Sequence, residues 1–313
     1  MMDWSDRHCR FFWRSLTRKA RLYTEMITTG ALLYGDADYH LSHDPGEQPL
    51  AVQLGGNDPA ALAKAAILCE KAGYSEVNLN AGCPSDRVKS GAFGASLMNN
   101  PALAGDCIKA MQDAVSIPVT LKCRIGVDNN DSYEALCHFI ACVEQAGCSV
   151  FIIHARKAWL SGLSPKQNRE IPPLDYPRVF QLKRDFSHLQ IVLNGGLTNI
   201  ESCQDALEQL DGVMIGREAY QNPYFLAQID NQIFNLKDQP VNISRRAIAS
   251  QMVPYIEQQL AQGARLNHIT RHMLGLCNGL PGARKWRRFL SENAHKPDAD
   301  ISTYQRSLEL ISQ

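Results

Sequence analysis

The sequence has no apolar run approaching the roughly 20 residues that a membrane-spanning helix needs, so no membrane role is expected. Its opening segment, MMDWSDRHCRFFWRSLTRKAR, interrupts every apolar stretch with charge, which excludes a signal peptide. No C-x-x-C occurs, and the closest trio of cysteines, Cys137, Cys142 and Cys148, fits no zinc spacing. No metal site is expected. The 10 cysteines are scattered through apolar segments, and most of them read as small buried residues in a reducing cytosol. There is no excess of charge either, since 32 Lys and Arg balance 32 Asp and Glu. Any polyanion partner must therefore be recognised by local clusters. Internal repeats, low-complexity tracts and a dinucleotide-binding fingerprint are also missing.

What is present is an ordinary globular composition, 45% hydrophobic and 20% charged over 313 residues. That length suits one large domain of about 200–250 residues and a small one. Short β-branched runs read as strands at Leu22–Ile27, Leu50–Leu54, Glu76–Asn80, Pro118–Arg124, Val150–His154, Ile191–Asn194 and Val213–Ile215. Helical patterns lie between them. Asp58-Pro59 and Asn100-Pro101 are helix starts, and Gly73 and Gly147 are stops. Alternating strands and helices with near-continuous apolar strands predict a parallel sheet covered by helices. The seven strands and an opening helix predict a (β/α)8 TIM barrel over residues 1–230. Its first strand is expected to be missing or truncated to Met1-Met2. From residue 231 strand signals stop, and amphipathic helices predict a small all-α domain over 231–313.

Polar residues end nearly every strand: Glu25, Gln53, Asn80, Lys122 with Arg124, His154, Asn194, and Gly216 with Arg217. In a barrel these ends converge on one mouth; a doubly wound open sheet, the alternative, gives them no such reason. The loops LNGGL (193–197) and IGREA (215–219) follow the last two strands, the usual phosphate site of such barrels. Lys122 shares a strand face with Thr120 and Arg124. A buried lysine needs an anion: either Glu25, or the reduced edge of a flavin, which Gln53 and His154 could also contact. The long loop after His154 interleaves Arg156, Lys157, Lys166 and Arg169 with Trp159, which suits single-stranded RNA. GARKWRR (282–288) puts Arg284, Arg287 and Arg288 on one helical face, favouring a polyanion contact.

Together MDWSDRHCR, YTEMITTGA, VQLGG, NLNAGCPSDRV, KCRIG, IIHARKAWLSGLSPKQNREIPPLDY, NGG and MIGREAYQNP resemble the flavin-dependent tRNA-dihydrouridine synthases, most closely their A-type branch. The resemblance covers nearly the whole chain. It implies an FMN-binding barrel, a C-terminal helical tRNA-binding domain, NADPH as reductant and D-loop uridines of tRNA as substrate, U20 and U20a for the A-type. It implies a cytoplasmic enzyme, expected to act as a monomer. FMN contacts map onto Met1, Met2, Gln53, Lys122, His154, Asn194, Gly195, Gly196, Gly216 and Arg217. Cys83 resembles the proton donor and Asn80 the substrate-contacting asparagine; Lys166, Arg169, Arg284 and Arg287 are the expected RNA contacts. Reducing a C5–C6 double bond takes a hydride at C6, from flavin N5, and a proton at C5. A thiol, ordinarily with a pKa of about 8.5, is protonated in the cytosol and can give that proton. Family members carry about one more strand ahead of this chain's Met-Asp-Trp, ending in Ala-Pro, so weak flavin binding is expected of a chain beginning at Met1. Two other readings are an FMN barrel acting on a free pyrimidine, like the dihydroorotate dehydrogenases, and a non-catalytic tRNA-binding protein.

Overall fold

The computed structural model describes residues 1–85, 91–236 and 243–311. Residues 86–90, and with them the Asp-Arg-Val that closes the segment NLNAGCPSDRV, lie outside the described residues. The fold is α/β. Among the described residues seven strands form one sheet in chain order: β1 (Leu22–Thr28), β2 (Leu50–Gly55), β3 (Glu76–Ala81), β4 (Val119–Arg124), β5 (Val150–His154), β6 (Gln190–Asn194) and β7 (Gly212–Met214). The pairs from β2/β3 to β6/β7 are parallel. Each expected strand is present, within one residue at either end.

The helix starts follow from local chemistry. Asp58 accepts a 2.7 Å hydrogen bond from Ala61 N, and Asn100 accepts from Leu103 N at 3.3 Å, each ahead of a proline. Gly73 and Gly147 end their helices at φ +90° and +105°, which side chains rarely adopt.

The chain divides into two compact units. One comprises Tyr23–His43 and Gln48–Ile215 and holds nearly all of the sheet. Period-two alternation splits its strands. Val77, Leu79, Val119, Leu121, Cys123, Phe151, Ile153, Ile191 and Leu193 point one way and are fully or nearly fully buried. The opposite face carries Glu76, Asn78, Asn80, Thr120, Lys122 and Arg124, polar groups that must be paired where water cannot reach. Because the strands are parallel, all their carboxyl ends lie along one edge.

The other unit comprises Met1–Leu22, Asp44–Glu47 and Gly216–Gln313. It packs the helix Arg7–Arg14 with short helices from Arg217 onward. Phe11 stacks on Tyr255 with centroids 3.8 Å apart, and Trp13 Nε1 donates to Ala219 O. Asp230 accepts from Thr17 Oγ1 and from the amides of Arg18 and Lys19. Trp286 and Tyr304 are fully buried.

Candidate active site

The site at the carboxyl edge of the sheet is built from side chains on consecutive strands. Asn80, at the end of β3, uses both ends of its amide. Its Oδ1 accepts from the backbone N–H of Gly82 (3.1 Å) and Cys83 (2.9 Å), while its Nδ2 donates to Gln53 Oε1 on β2 at 2.8 Å. Gln53 Nε2 donates to Asn78 Oδ1 (2.9 Å), Asn78 Nδ2 to Thr120 Oγ1 (2.8 Å), and Thr120 Oγ1 to Glu76 Oε1 (2.7 Å). Tyr23 on β1 donates to the same carboxylate oxygen at 2.8 Å. The ladder therefore runs from the Cys83 loop into the buried core and ends on a carboxylate. Every amide in it is oriented by its neighbour, so the loop carrying the thiol starts from a fixed base.

Cys83 stands out among the cysteines by position. Seven of the 10 are buried, and burial pushes the thiols of Cys69, Cys107, Cys123 and Cys148 up to about 12. Cys137 and Cys142 are half-buried on the helix Tyr133–Gln145. Cys83 is half-buried too, but on an edge loop, with its Sγ 3.5 Å from Ser85 Oγ and its carbonyl accepting from Ala95 N.

Lys122 on β4 donates to Asn194 Oδ1 across β5 at 2.8 Å, and Asn194 Nδ2 donates to Met214 O. Glu25 is not its partner: among the described residues Lys122 forms no ion pair, and its hydrogen bond goes to an amide. Burial lowers its pKa to about 8, and the neighbouring Arg124 pushes the same way. A partly desolvated cation without a carboxylate beside it is what an anionic ligand edge requires.

His154 ends β5 level with Asn194 on β6. A Cβ on Gly195 would lie 2.5 Å from His154 Cδ2, and one on Gly196 would lie 2.4 Å from Leu174 Cδ1. Both glycines have positive φ, +105° and +75°. Glycine is thus required twice over, by conformation and by the approach of His154, Leu174 and Tyr176, whose hydroxyl donates to Gly195 O at 2.6 Å. Gln53, Asn80, Lys122, His154, Asn194, Gly195 and Gly196 all belong to this unit and this edge. In the other unit a Cβ on Gly216 would lie 3.7 Å from Met1 Sδ, Arg217 opens the helix Arg217–Gln221, and Met2 is exposed.

The basic segments are more engaged than their composition suggests. Lys157 pairs with Asp131 at 2.8 Å and lies over the Trp159 ring, and Arg156 Nη1 donates to Pro172 O. Lys166 and Arg169 remain exposed. On the helix Ala283–Asn293, Arg284 and Arg287 are exposed while Arg288 pairs with Glu292 at 2.7 Å, one turn beyond the face read from residues 282–288. Sequence reasoning missed Asn78 and Asn168. Asn78 was detectable, because the Asn-Leu-Asn alternation of β3 puts it on the face of Asn80. Asn168 gave no signal; it lies buried in a loop without periodicity, and its amide bonds Trp159 N, Trp159 O, Leu163 O and Ser164 O. Among the described residues no group of three or more His, Cys, Asp or Glu is placed to hold a metal ion.

A family model described as "Dihydrouridine synthase (Dus)" matches residues 1–311. Over its full length the chain is 60% identical to the "tRNA-dihydrouridine(20/20a) synthase" of Escherichia coli O6:H1, covering 94% of that protein. Proteins of the same name from Yersinia pestis and Vibrio vulnificus are 59% and 58% identical, with 90% and 95% of their lengths covered.

Proposed function

The chain belongs to the dihydrouridine synthase family, and from that premise we propose how its own residues carry the reaction. It is a flavin-dependent oxidoreductase that reduces the C5–C6 bond of uridine in tRNA to 5,6-dihydrouridine. We propose the D-loop positions 20 and 20a as its targets, after the name its relatives bear, FMN as the flavin and NADPH as the reductant. Seven parallel strands in chain order support reading the sheet as a TIM barrel, with residues 231–313 as the helical tRNA-binding part. Among the described residues no helix is long and apolar enough to cross a membrane. A cytoplasmic monomer is part of the same reading.

The residues at the sheet edge fit a flavin. Lys122 is a half-buried cation that no carboxylate neutralises. Gln53 and Asn194 each keep one unused amide N–H and one acceptor lone pair, and Gly195 and Gly196 expose backbone beside His154. Gln53, Lys122, His154, Asn194, Gly195 and Gly196 would hold it. For Met1, Met2, Gly216 and Arg217, in the other unit, the cofactor role stays the expectation that the resemblance gave. A bound reduced flavin supplies a hydride to C6 of the uracil ring.

Cys83 supplies the proton to C5. Its S–H bond breaks as the C5–H bond forms, and solvent later returns a proton to the thiolate. Asn80 fixes the backbone N–H of Cys83 and so fixes where the thiol sits. Lys122 favours negative charge at the flavin edge. The target uridine must leave its stack to reach this edge, and Lys166 and Arg169 are exposed to hold the RNA around it.

The observation that carries the reading is a half-buried thiol held by an asparagine amide beside a half-buried, unneutralised lysine. In Cys83→Ala, flavin reduction by NADPH should stay nearly intact, while uridine reduction slows by about 10²–10⁴-fold. Rapid mixing separates the two half-reactions, and mass spectrometry of the released flavin should give FMN. Equal loss in both half-reactions would make Cys83 structural; FAD as the dominant species would refute the cofactor assignment.

A further inference from the structure

The peptide unit joining Gly82 to Cys83 is held at both ends. Its N–H, on Cys83, donates to Asn80 Oδ1 at 2.9 Å. Its carbonyl, on Gly82, accepts from Arg124 Nε at 3.1 Å. Fixing both groups fixes the peptide plane, and with it the direction in which the Cys83 side chain leaves the backbone. The unit also sits hard against β4, since a Cβ on Gly82 would lie 3.3 Å from the Cys123 carbonyl carbon.

Arg124 reaches further. Its Nη1 donates to Asn168 O at 2.9 Å and to Lys157 O at 3.3 Å, both on the loop that presents Lys166 and Arg169. That part of the loop is rigid, because the buried Asn168 amide bonds Trp159, Leu163 and Ser164. Arg124 is 3% exposed, and among the described residues its guanidinium forms no ion pair. Burial lowers its pKa to about 10, and Arg169 and Arg156 repel it further. A buried guanidinium facing carbonyls instead of a carboxylate is a weak source of stability. What it uniquely provides is a planar fork that spans two loops.

We propose that Arg124 is a positioning residue for the proton donor: it ties the peptide ahead of Cys83 to the RNA-facing loop, so that a uridine held by that loop and the thiol keep one register. This rests on the reading of Cys83 as the donor to tRNA uridine.

The test uses the full chain with its flavin and whole tRNA. At saturating tRNA, Arg124→Gln should slow uridine reduction by about 10²-fold, the usual effect of misplacing a reacting group by about 1 Å. Bound flavin and flavin reduction by NADPH should not change. Arg124→Lys should recover little, because one ammonium cannot span three carbonyls. In a Cys83→Ala background, adding Arg124→Gln should cost less than about threefold, since nothing remains to position. Alkylation of Cys83 by iodoacetamide, followed by peptide mass spectrometry without tRNA, should change rate in Arg124→Gln by about tenfold. Should Arg124→Gln fail to fold, Asn168→Ala loosens the same clamp from the loop side and should slow uridine reduction only where Cys83 is present. Full recovery with lysine, additive losses in the double variant, lost flavin, or unchanged alkylation would each overturn the proposal. A wild-type protein that forms no dihydrouridine would refute the parent reading instead, and the alkylation result would still decide the clamp.

Discussion

At the scale of single residues, the consequences of burial are the least visible in the chain. His8 is buried, with Nδ1 2.7 Å from the Tyr255 hydroxyl. Burial lowers its pKa from 6.5 to about 4, partly opposed by the charge of Asp6. In the unfolded chain the imidazole binds a proton below about 6.5; in the folded protein it resists until about 4. The unfolded state therefore binds more protons in that window, and stability falls as pH drops through it. The loss is of order 3 kcal/mol at the lower end. Asp6 adds an acid loss of its own at lower pH, because its hydrogen bond to and charge pairing with His272 outweigh burial and hold its carboxyl below the usual range. Thermal melts at pH 7 and pH 4.5 should show a smaller acid drop in His8→Phe than in wild type. An equal drop would mean that His8 is not the group titrating. The position of the residue in the chain says nothing of this; only the closing of Tyr255 over it does.

At the scale of elements, the turn Asp44–Glu47 groups with the helix Arg7–Arg14 and not with its neighbours in sequence. Arg10 and Glu47 form an ion pair of 2.6 Å with side chains 4% and 1% exposed. Glu47 Oε1 also accepts from Asp44 N, and Arg14 donates to Glu47 O through two nitrogens. Removing one partner of such a pair leaves a buried charge and costs about 3–5 kcal/mol, while replacing both with apolar residues is close to neutral. Urea midpoints should thus fall steeply in Glu47→Gln and recover largely in the double variant Arg10→Met, Glu47→Leu. If the single variant lies within about 1 kcal/mol of wild type, water must reach the pair. The strands show the opposite case. Their existence and order were legible because apolar runs of fixed spacing can be buried on both faces only in a parallel, helix-covered sheet. Their ends moved by at most one residue, since a strand stops where its ladder stops and that depends on its partner.

At the scale of the whole molecule, zero net charge gives no hint of RNA, so binding must come from a few placed cations. Lys166, Arg284 and Arg287 are exposed. Replacing all three with alanine should weaken tRNA binding and reduce the salt slope by about 2, as three lost phosphate contacts on a flexible strand would. Affinity measured across a salt series decides this; an unchanged slope would leave the three as solvated surface. Lys157 and Arg288 are poorer choices for such a test, because each already holds a carboxylate.

The seven strands, the helix caps, the Asn-x-Gly-Cys-Pro loop and the set of polar strand ends were legible in the chain, because each rests on local periodicity or on the chemistry of a few consecutive residues. The chain also carried the family signature, which is a linear pattern. Which polar groups satisfy one another was settled by packing. Lys122 could have met Glu25 or Asn194, and β5 had to be crossed to find out. Arg124 sits two residues beyond Lys122 on the same face, yet its partners come from the Gly82 carbonyl and from a loop more than thirty residues on. A buried polar group takes whichever partner the packing brings within 3 Å or so, and that distance is a property of the folded sheet edge and not of spacing along the chain.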